Sequence, residues 1–572
     1  MYKIIIVGGM AAGCKAAARL SRISSDYEIT IIERKSFISF GSCGLPLYAS
    51  GDIDNVYELA KTGYGVIRDK DYFRDVKGIT VLTNTEVEKL DTVSCEVTFK
   101  DLEKSEIHSL PYDALILATG AGPVKPQFSY SESPRISSFH TPKDAQDFRK
   151  EAQKGNIEKA VIIGGGFIGC ELTEAMSSLW GIETTLIEIE GSLLSRMIDP
   201  EISRLIENRI RKNGVKILLS SKVKKIETND QGLPLVYLKD GIEIKTDYVF
   251  YNLGIKPETT LAEDINIRLG KFGGIRVDEA MKTNIPKIWA AGDCVETTNL
   301  ITGKPDYFPL GSLSNRMARV VADSIANKET YFRGAVGTAS LKIFNCNVCA
   351  TGLTEKKAIE SGYDTGSVIG CWSDRPDYHP ENKNIFGKLV YQKEGLKLLG
   401  LQLVGDGEVT RYIDTFSELL SNFSTAYDMV DLEHAYTPAH SSPISPLNYF
   451  GYMAINQEED SVKNFNPLCI SSFKGIFIDV REKTEMESVP FPGKAIHIPI
   501  SQIRMRLKEF DLNQSIMFIC EKGPRAYEAA RIFLNNGFKN VSYLGGGMIM
   551  QSEMNIEQNF NITSKGLSSV VI

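Results

Sequence analysis

Cys43 stands in the run Ser39-Phe40-Gly41-Ser42-Cys43-Gly44-Leu45-Pro46-Leu47-Tyr48, and no second cysteine follows within five residues. A local dithiol couple is therefore excluded, and the redox partner of this thiol must come from outside the run. A lone thiolate of this kind can hold a mixed disulfide with a small thiol, a persulfide or a sulfenic acid. A second thiol with chemical promise is Cys520, in Cys520-Glu521-Lys522-Gly523-Pro524-Arg525, set between an apolar strand, Ile516 to Ile519, and a helix from Ala526 onward. There the loop amides, the helix dipole and Arg525 stabilise a thiolate able to carry sulfane sulfur. Cys346-Asn347-Val348-Cys349 has metal-ligand spacing, but it occurs once, in an apolar strand context, and reads as core with no metal.

The elements that must position Cys43 are nucleotide-binding units. Strand Ile4 to Val7 leads into Gly8-Gly9-Met10-Ala11-Ala12-Gly13, an alanine-rich helix to Leu20, and strand Ile29 to Ile32 ending at Glu33. Glycines there let the backbone approach a pyrophosphate at the helix N-terminus, and the acid can accept from ribose hydroxyls. Cys43 lies ten residues after Glu33, so the same unit brings it beside the bound nucleotide. The pattern repeats: strand Ala160 to Ile163, then Gly164-Gly165-Gly166-Phe167-Ile168-Gly169, a helix, and strand Glu183 to Ile187 ending at Glu188. First glycine and acid are 25 residues apart in the first copy and 24 in the second, which implies two nucleotide sites. Buried strands are also expected at Ala114 to Leu117, before the turn Ala118-Thr119-Gly120, and at Ile288 to Ala291, before Gly292-Asp293.

At 572 residues the chain is long enough for several cores, and 42% hydrophobic with 24% charged residues is an ordinary globular balance. A net charge of −7 argues against nucleic acid as a partner. Ten dispersed cysteines and a strand that begins at residue 2 suggest a reduced, cytoplasmic protein, and no apolar run reaches the length of a membrane span.

In order and spacing, the two glycine loops, Ala118 to Gly120 and Ile288 to Asp293 resemble the FAD- and NAD(P)-dependent pyridine nucleotide-disulfide oxidoreductases. That resemblance implies that Gly8, Gly9, Ala11, Ala12, Gly13, Glu33 with the adjacent Arg34, Ala118, Thr119, Gly120 and Asp293 hold FAD. Gly164, Gly166, Gly169 and Glu188 would then hold NAD(H). Glu188 suits a 2′-hydroxyl and repels a 2′-phosphate, and Ile189-Glu190-Gly191 offers no cation, so NADH is expected over NADPH. The single Cys43 with Ser39-Phe40 and Gly44-Leu45-Pro46 resembles coenzyme A-disulfide reductases and NADH-dependent persulfide reductases, although Ser42 stands where most of that group carry asparagine. The resemblance places coenzyme A along the first helix, with Arg19 and Arg22 on its phosphates and Ser39 and Ser42 beside the thiol. Related NADH oxidases and peroxidases cycle one cysteine through sulfenic acid, but they carry a histidine near the first loop, where this chain has Met10-Ala11-Ala12. A third reading is a sulfur-responsive binding protein in which flavin and Cys520 report redox state without turnover.

From about residue 330 the pattern resembles the family's dimerisation domain. The resemblance implies a homodimer in which Tyr378 and Tyr436 approach the other subunit's redox cysteine, where a phenol can donate to a thiolate and protonate a departing thiol. Asn456 to Asn466 is polar and reads as a linker. Beyond it, Asp479-Val480-Arg481, Cys520 with Gly523 and Arg525, and Gly545-Gly546-Gly547 resemble a rhodanese domain, with Cys520 and Arg525 as its catalytic pair. Glu521 and Lys522 make that loop less basic than in members that cleave thiosulfate.

The expected fold class is thus α/β, with two Rossmann-like nucleotide-binding domains, an α+β dimerisation domain and a C-terminal α/β rhodanese-like domain. The expected division is 1–112 with 246–328 for FAD, 113–245 for NAD, 329–455 for dimerisation and 467–572 for the rhodanese-like part. The implied activity is NADH-dependent reduction of small-thiol disulfides or persulfides, those of coenzyme A foremost, with polysulfide as a further substrate.

Overall fold

Two parallel sheets dominate the first half of the chain in the computed structural model, which describes residues 1–554. The first sheet runs Ile288–Ala290, Ala114–Leu117, Tyr2–Val7, Tyr27–Ile32, Thr80–Leu82. The second runs Ile136–Ser137, Tyr248–Tyr251, Lys159–Ile163, Glu183–Ile187, Lys216–Leu218. Strands covered on both faces must be apolar throughout, and Ile4 to Ile6 and Ala114 to Leu117 are almost wholly buried. Helix Ala11–Ile23 turns its small residues, Ala12, Ala16 and Ala17, into the core with Leu20.

The observed sheets move two of the expected boundaries. Ala114–Leu117 pairs with Ile4 to Val7 in the first sheet, so the division at residue 113 falls one strand early. Tyr248–Tyr251 pairs with Ala160 to Ile163 in the second, so the division at 245 does too. In each case the strand that returns to the sheet lies beside the glycine-bearing strand and is needed to complete the nucleotide crevice. The chain forms two compact units, Met1–Ile189 with Gly214–Gly337, and Glu190–Asn213 with the chain from Thr338 onward, so helix Pro200–Lys212 belongs to the second unit.

In the second unit an antiparallel sheet is ordered Ala339–Ile343, Cys346–Gly352, Leu398–Gly405, Asn384–Gln392, Thr365–Ser373. Cys346 and Cys349 are buried in its core, as the apolar context implied. A smaller parallel sheet follows, ordered Lys463–Phe465, Val541–Leu544, Ile516–Ile519, Ile476–Asp479, Ile496–His497. The stretch expected as a linker is structured. Helix Pro446–Glu458 extends into it, and Lys463–Phe465 is a strand of the smaller parallel sheet. Its polar side chains are spent on neighbouring groups: Gln457 donates to the Ser367 carbonyl and the Tyr391 hydroxyl, and Asn464 both accepts from Ile369 N–H and donates to Ile369 C=O. Among the described residues no helix is long and apolar enough to cross a membrane.

Helix Pro200–Lys212 is held by a buried cation. Lys388, 1% exposed on strand Asn384–Gln392, meets Glu201, Glu355 at 2.7 Å and Asp199 at 3.2 Å. Burial opposes its charge, but the carboxylates of Glu201, Asp199 and Glu355 outweigh burial and hold the ammonium above its ordinary range. Asn466 donates to Glu201, and the Gln402 side chain binds both the backbone and the carboxylate of Asp199. Replacing only the cation strands buried carboxylates, so Lys388→Met should destabilise the second unit by about 3–5 kcal/mol. Its urea transition measures this, and a loss under about 1 kcal/mol would show that the carboxylates are accommodated without the lysine.

Candidate active site

The two glycine loops have one geometry, built twice. Gly8 and Gly164 both have φ of +109°. A β-carbon on Gly8 would lie 2.1 Å from the Ala118 carbonyl oxygen, and one on Gly164 would lie 2.2 Å from that of Asn252. Gly13 and Gly169 close the turns in the same way, their β-carbons meeting the carbonyls of Gly8 and Gly164 at 1.8 and 1.9 Å. The following acids repeat as well. Glu33, buried, accepts from Gly9 N–H at 2.7 Å, and Glu188 accepts from Gly165 N–H at 2.5 Å. Neither helix, Ala11–Ile23 or Phe167–Glu174, has a side-chain cap or an acid in its first turn, so the amides at both N-termini are presented to an anion.

The segment carrying Cys43 is tied to the first loop. Ser39, at φ 50°, donates its N–H to the Gly9 carbonyl at 2.8 Å, and Ile38 packs where a Gly9 side chain would stand. Cys43 is exposed in a short 3₁₀ turn, Ser42–Gly44, immediately before helix Leu45–Ser50. Two residues that the sequence reading did not single out secure that helix. Buried Arg149 donates to the carbonyls of Tyr48 and Ile53 at 3.1 and 2.5 Å and lies over the Tyr48 ring, while Trp180 donates to the Ala49 carbonyl at 2.7 Å. Both partners lie more than ninety residues away in the chain, so no local pattern announces them.

The thiol has anionic surroundings. Burial pushes Cys43 up, and the carboxylates of Glu171 and Asp293 push it further. Glu171, also missed, lies on helix Phe167–Glu174, and burial followed by repulsion from Glu174 raises it to about 7. Asp293 follows Gly292, accepts from Ser314 Oγ at 2.9 Å, and is raised by burial, while Tyr307 donates to its carbonyl at 2.7 Å. Thr119 donates to Glu258 C=O at 2.6 Å beside Gly120, whose φ is +74°. Arg19 is engaged by Asp323 at 2.7 Å, Arg34 reaches Glu86 at 3.3 Å, and Arg22 is exposed.

In the second unit, Tyr378 and Tyr436, 58 positions apart, come together. Partial burial and then the neighbouring Tyr378 raise the Tyr436 phenol. Both rings are exposed, Tyr378 at 75% and Tyr436 at 47%. In the smaller sheet, Cys520 ends strand Ile516–Ile519 with its sulfur buried, and Gly523 N–H donates to it at 3.1 Å. Arg525, at the start of helix Pro524–Asn535, is gripped by Glu485. Asp479, at the end of strand Ile476–Asp479, and Arg481 form a buried pair at 2.6 Å.

With this geometry established, family models match three stretches: pyridine nucleotide-disulphide oxidoreductase over residues 2–315, its dimerisation domain over 338–445, and a rhodanese-like domain over 469–549. The chain belongs to the pyridine nucleotide-disulphide oxidoreductase family, with the expected fold class and a C-terminal rhodanese domain. It is 33% identical over 444 residues to an NAD(P)H sulfur oxidoreductase (CoA-dependent) of Pyrococcus abyssi, covering 78% of this chain and 96% of that one. Over 96% of this chain and 99% of the other, it superposes on an NAD-dependent persulfide reductase from A. fulgidus with a TM-score of 0.91 and 35% identity. A reduced Bacillus anthracis CoADR-RHD gives 0.89 and 30%, over 96% of this chain and 98% of that chain.

The family uses FAD and NAD(P)H, and the residues present fit both. Each glycine turn packs onto the neighbouring backbone with no room for a side chain, and each ends on uncapped helical amides with an acid at the neighbouring strand end.

Because Glu171 raises Cys43, Glu171→Gln removes an anion and should lower the pH midpoint of Cys43 alkylation by iodoacetamide. A midpoint that stays or rises would mean that Glu171 does not act on the thiol.

Proposed function

We propose that this chain is a cytoplasmic, homodimeric reductase that uses NADH to cleave disulfides, persulfides or polysulfides of small thiols, coenzyme A foremost, at Cys43. The observation that carries this reading is one exposed thiol, tied through Ser39 to the first nucleotide turn, with no second cysteine near it in sequence. The names of the similar proteins, a CoA-dependent sulfur oxidoreductase and a persulfide reductase, support it.

Bound FAD supplies a two-electron relay between NADH and a sulfur–sulfur bond. The chain's own residues do the rest. Helical amides at Ala11–Ile23 and Phe167–Glu174 hold the two pyrophosphates, and Glu33 and Glu188 meet ribose hydroxyls. The Cys43 thiolate attacks a disulfide R–S–S–R′, giving Cys43–S–S–R and R′–S⁻, and two electrons originating from NADH then restore the thiolate and release R–S⁻. With a persulfide R–S–SH the products of the two steps are HS⁻ and R–S⁻. Tyr378 and Tyr436, which lie close to one another, protonate the departing thiolate of the other subunit's site. Arg22, with Arg19 where Asp323 shares it, meets the phosphates of coenzyme A, and Ser39 and Ser42 line the approach to the thiol. Cys520 carries sulfane sulfur on the rhodanese domain.

Cys43→Ser should retain FAD and its reduction by NADH while disulfide and persulfide turnover falls at least about a hundredfold, as for loss of a nucleophile. Retained turnover would remove Cys43 from the chemistry. Catalytic efficiency should favour NADH over NADPH at least about tenfold, about 1.4 kcal/mol, because the Glu188 carboxylate faces a ribose rather than a phosphate. Equal use of the two would place Glu188 elsewhere.

A further inference from the structure

The turn that carries Cys520 sends one cation beyond its own domain. Its backbone is clamped on the glycine run behind it: at Gly547, whose φ is +61°, a β-carbon would stand 2.3 Å from the Glu521 carbonyl oxygen. Met548 and Ile549, in helix Gly547–Met554, donate their N–H groups to the carbonyls of Cys520 and Glu521 at 2.9 and 3.0 Å. Lys522 therefore extends from a fixed root. Its side chain, 23% exposed, donates to Ser373 Oγ at 2.8 Å and to Asp377 Oδ1 at 3.1 Å. Ser373 donates to the same Asp377 oxygen at 2.7 Å, and the bonds from Ser373 and then Lys522 hold the Asp377 carboxyl below its ordinary range.

Asp377 stands one residue before Tyr378, in the loop that joins strand Thr365–Ser373 to strand Asn384–Gln392. The base of that loop is closed by Asp374, whose N–H meets the Lys383 carbonyl at 2.9 Å and whose carboxylate accepts from Lys383 N–H at 2.8 Å. Its tip is bound to itself. Asn382 donates to the Asp377 carbonyl at 2.9 Å, His379 N–H donates to the Pro376 carbonyl at 2.8 Å, and Arg375 pairs with Glu381 at 2.8 Å. These bonds shape the loop but do not set its angle to the sheet. Among the described residues, the ion pair that ties the loop to a side chain outside it is Asp377 with Lys522, next to the exposed Tyr378.

We infer that Lys522 is a positioning residue for Tyr378, fixing the angle at which the phenol is offered to the departing thiolate of the other subunit's site. This rests on the reading of Tyr378 as a proton donor there. A phenol must come within hydrogen-bond reach of the sulfur it protonates, and misplacing a reacting group by about 1 Å can cost about a hundredfold in rate. Lys522 acts on the phenol through Asp377 and Ser373 alone. The rhodanese-like domain thereby supports reduction at Cys43 even with substrates that hold no sulfane sulfur, as a brace for the proton donor rather than as a carrier.

The test uses the full-length, FAD-loaded protein with NADH and coenzyme A disulfide, a substrate that gives Cys520 no sulfur to carry. Tyr378→Phe should lower kcat at least about tenfold. Lys522→Met keeps the stem and removes the donor; it should lower kcat about three- to tenfold, hold KM for coenzyme A disulfide within about twofold, and leave the reduction of FAD by NADH at the parent rate. Asp377→Ala removes the same tie from a side chain 81% exposed, without touching the Cys520 turn, and should give the same loss of kcat. Placed on Tyr378→Phe, Lys522→Met should cost less than about twofold more, because its effect passes through the phenol. Parent-like kcat in Lys522→Met or Asp377→Ala, or a loss from Lys522→Met that persists in full without the phenol, would overturn the positioning role. Parent-like kcat in Tyr378→Phe would overturn the proton-donor reading, and the inference with it.

Discussion

The structure of the catalytic half depends on two places where backbone meets backbone with no room for a β-carbon: Gly8 against Ala118, and Gly164 against Asn252. Each contact draws a glycine turn onto the neighbouring parallel strand and points the following helix's unpaired amides into the crevice at the strand ends. Cys43 inherits its place from the first of these turns. The Ser39 to Gly9 bond fixes where the segment leaves the sheet, and Arg149 and Trp180 fix the helix that follows the thiol. Residues from three distant parts of the chain therefore define the position of one sulfur, and the first glycine loop cannot shift without moving it.

The second unit shows a different strategy, in which charge rather than close backbone contact holds the parts together. Lys388 gathers carboxylates from helix Pro200–Lys212 and from Glu355, and Lys522 bridges the Cys520 turn to the loop of Asp377 and Tyr378. Asn464 adds a paired contact with Ile369. Cys520 is consequently a fixed feature of this unit, because the stretch expected as a linker is folded into it.

Much of this was legible in the sequence, because the features concerned are local. A glycine that must adopt φ of +109°, an acid at the end of the next strand, and a cysteine before Gly-Leu-Pro are each spelled out within a few residues. The rhodanese-like turn was legible for the same reason. What could not be read was set by contacts across the chain. Ala114–Leu117 and Tyr248–Tyr251 are apolar runs that fit either sheet equally well, so their assignment waits on which strand they pair with. Arg149 and Glu171 look like ordinary charges on helices, and their roles come from burial against Tyr48 and near Cys43. The polarity of Asn456 to Asn466 suggested solvation, whereas Gln457 and Asn464 spend it on neighbouring strands.

The central claim is that Cys43 is the sulfur that turns over. It is tested most directly by peptide mass spectrometry of the protein isolated without reductant, before and after anaerobic addition of NADH, with alkylation of exposed thiols at each stage. The account predicts that the Cys43 peptide first carries a disulfide-linked small thiol or an extra sulfur, resists alkylation, and becomes alkylatable once NADH is added. A Cys43 that is unmodified and equally alkylatable before and after NADH, while disulfide or persulfide reduction proceeds, would contradict it.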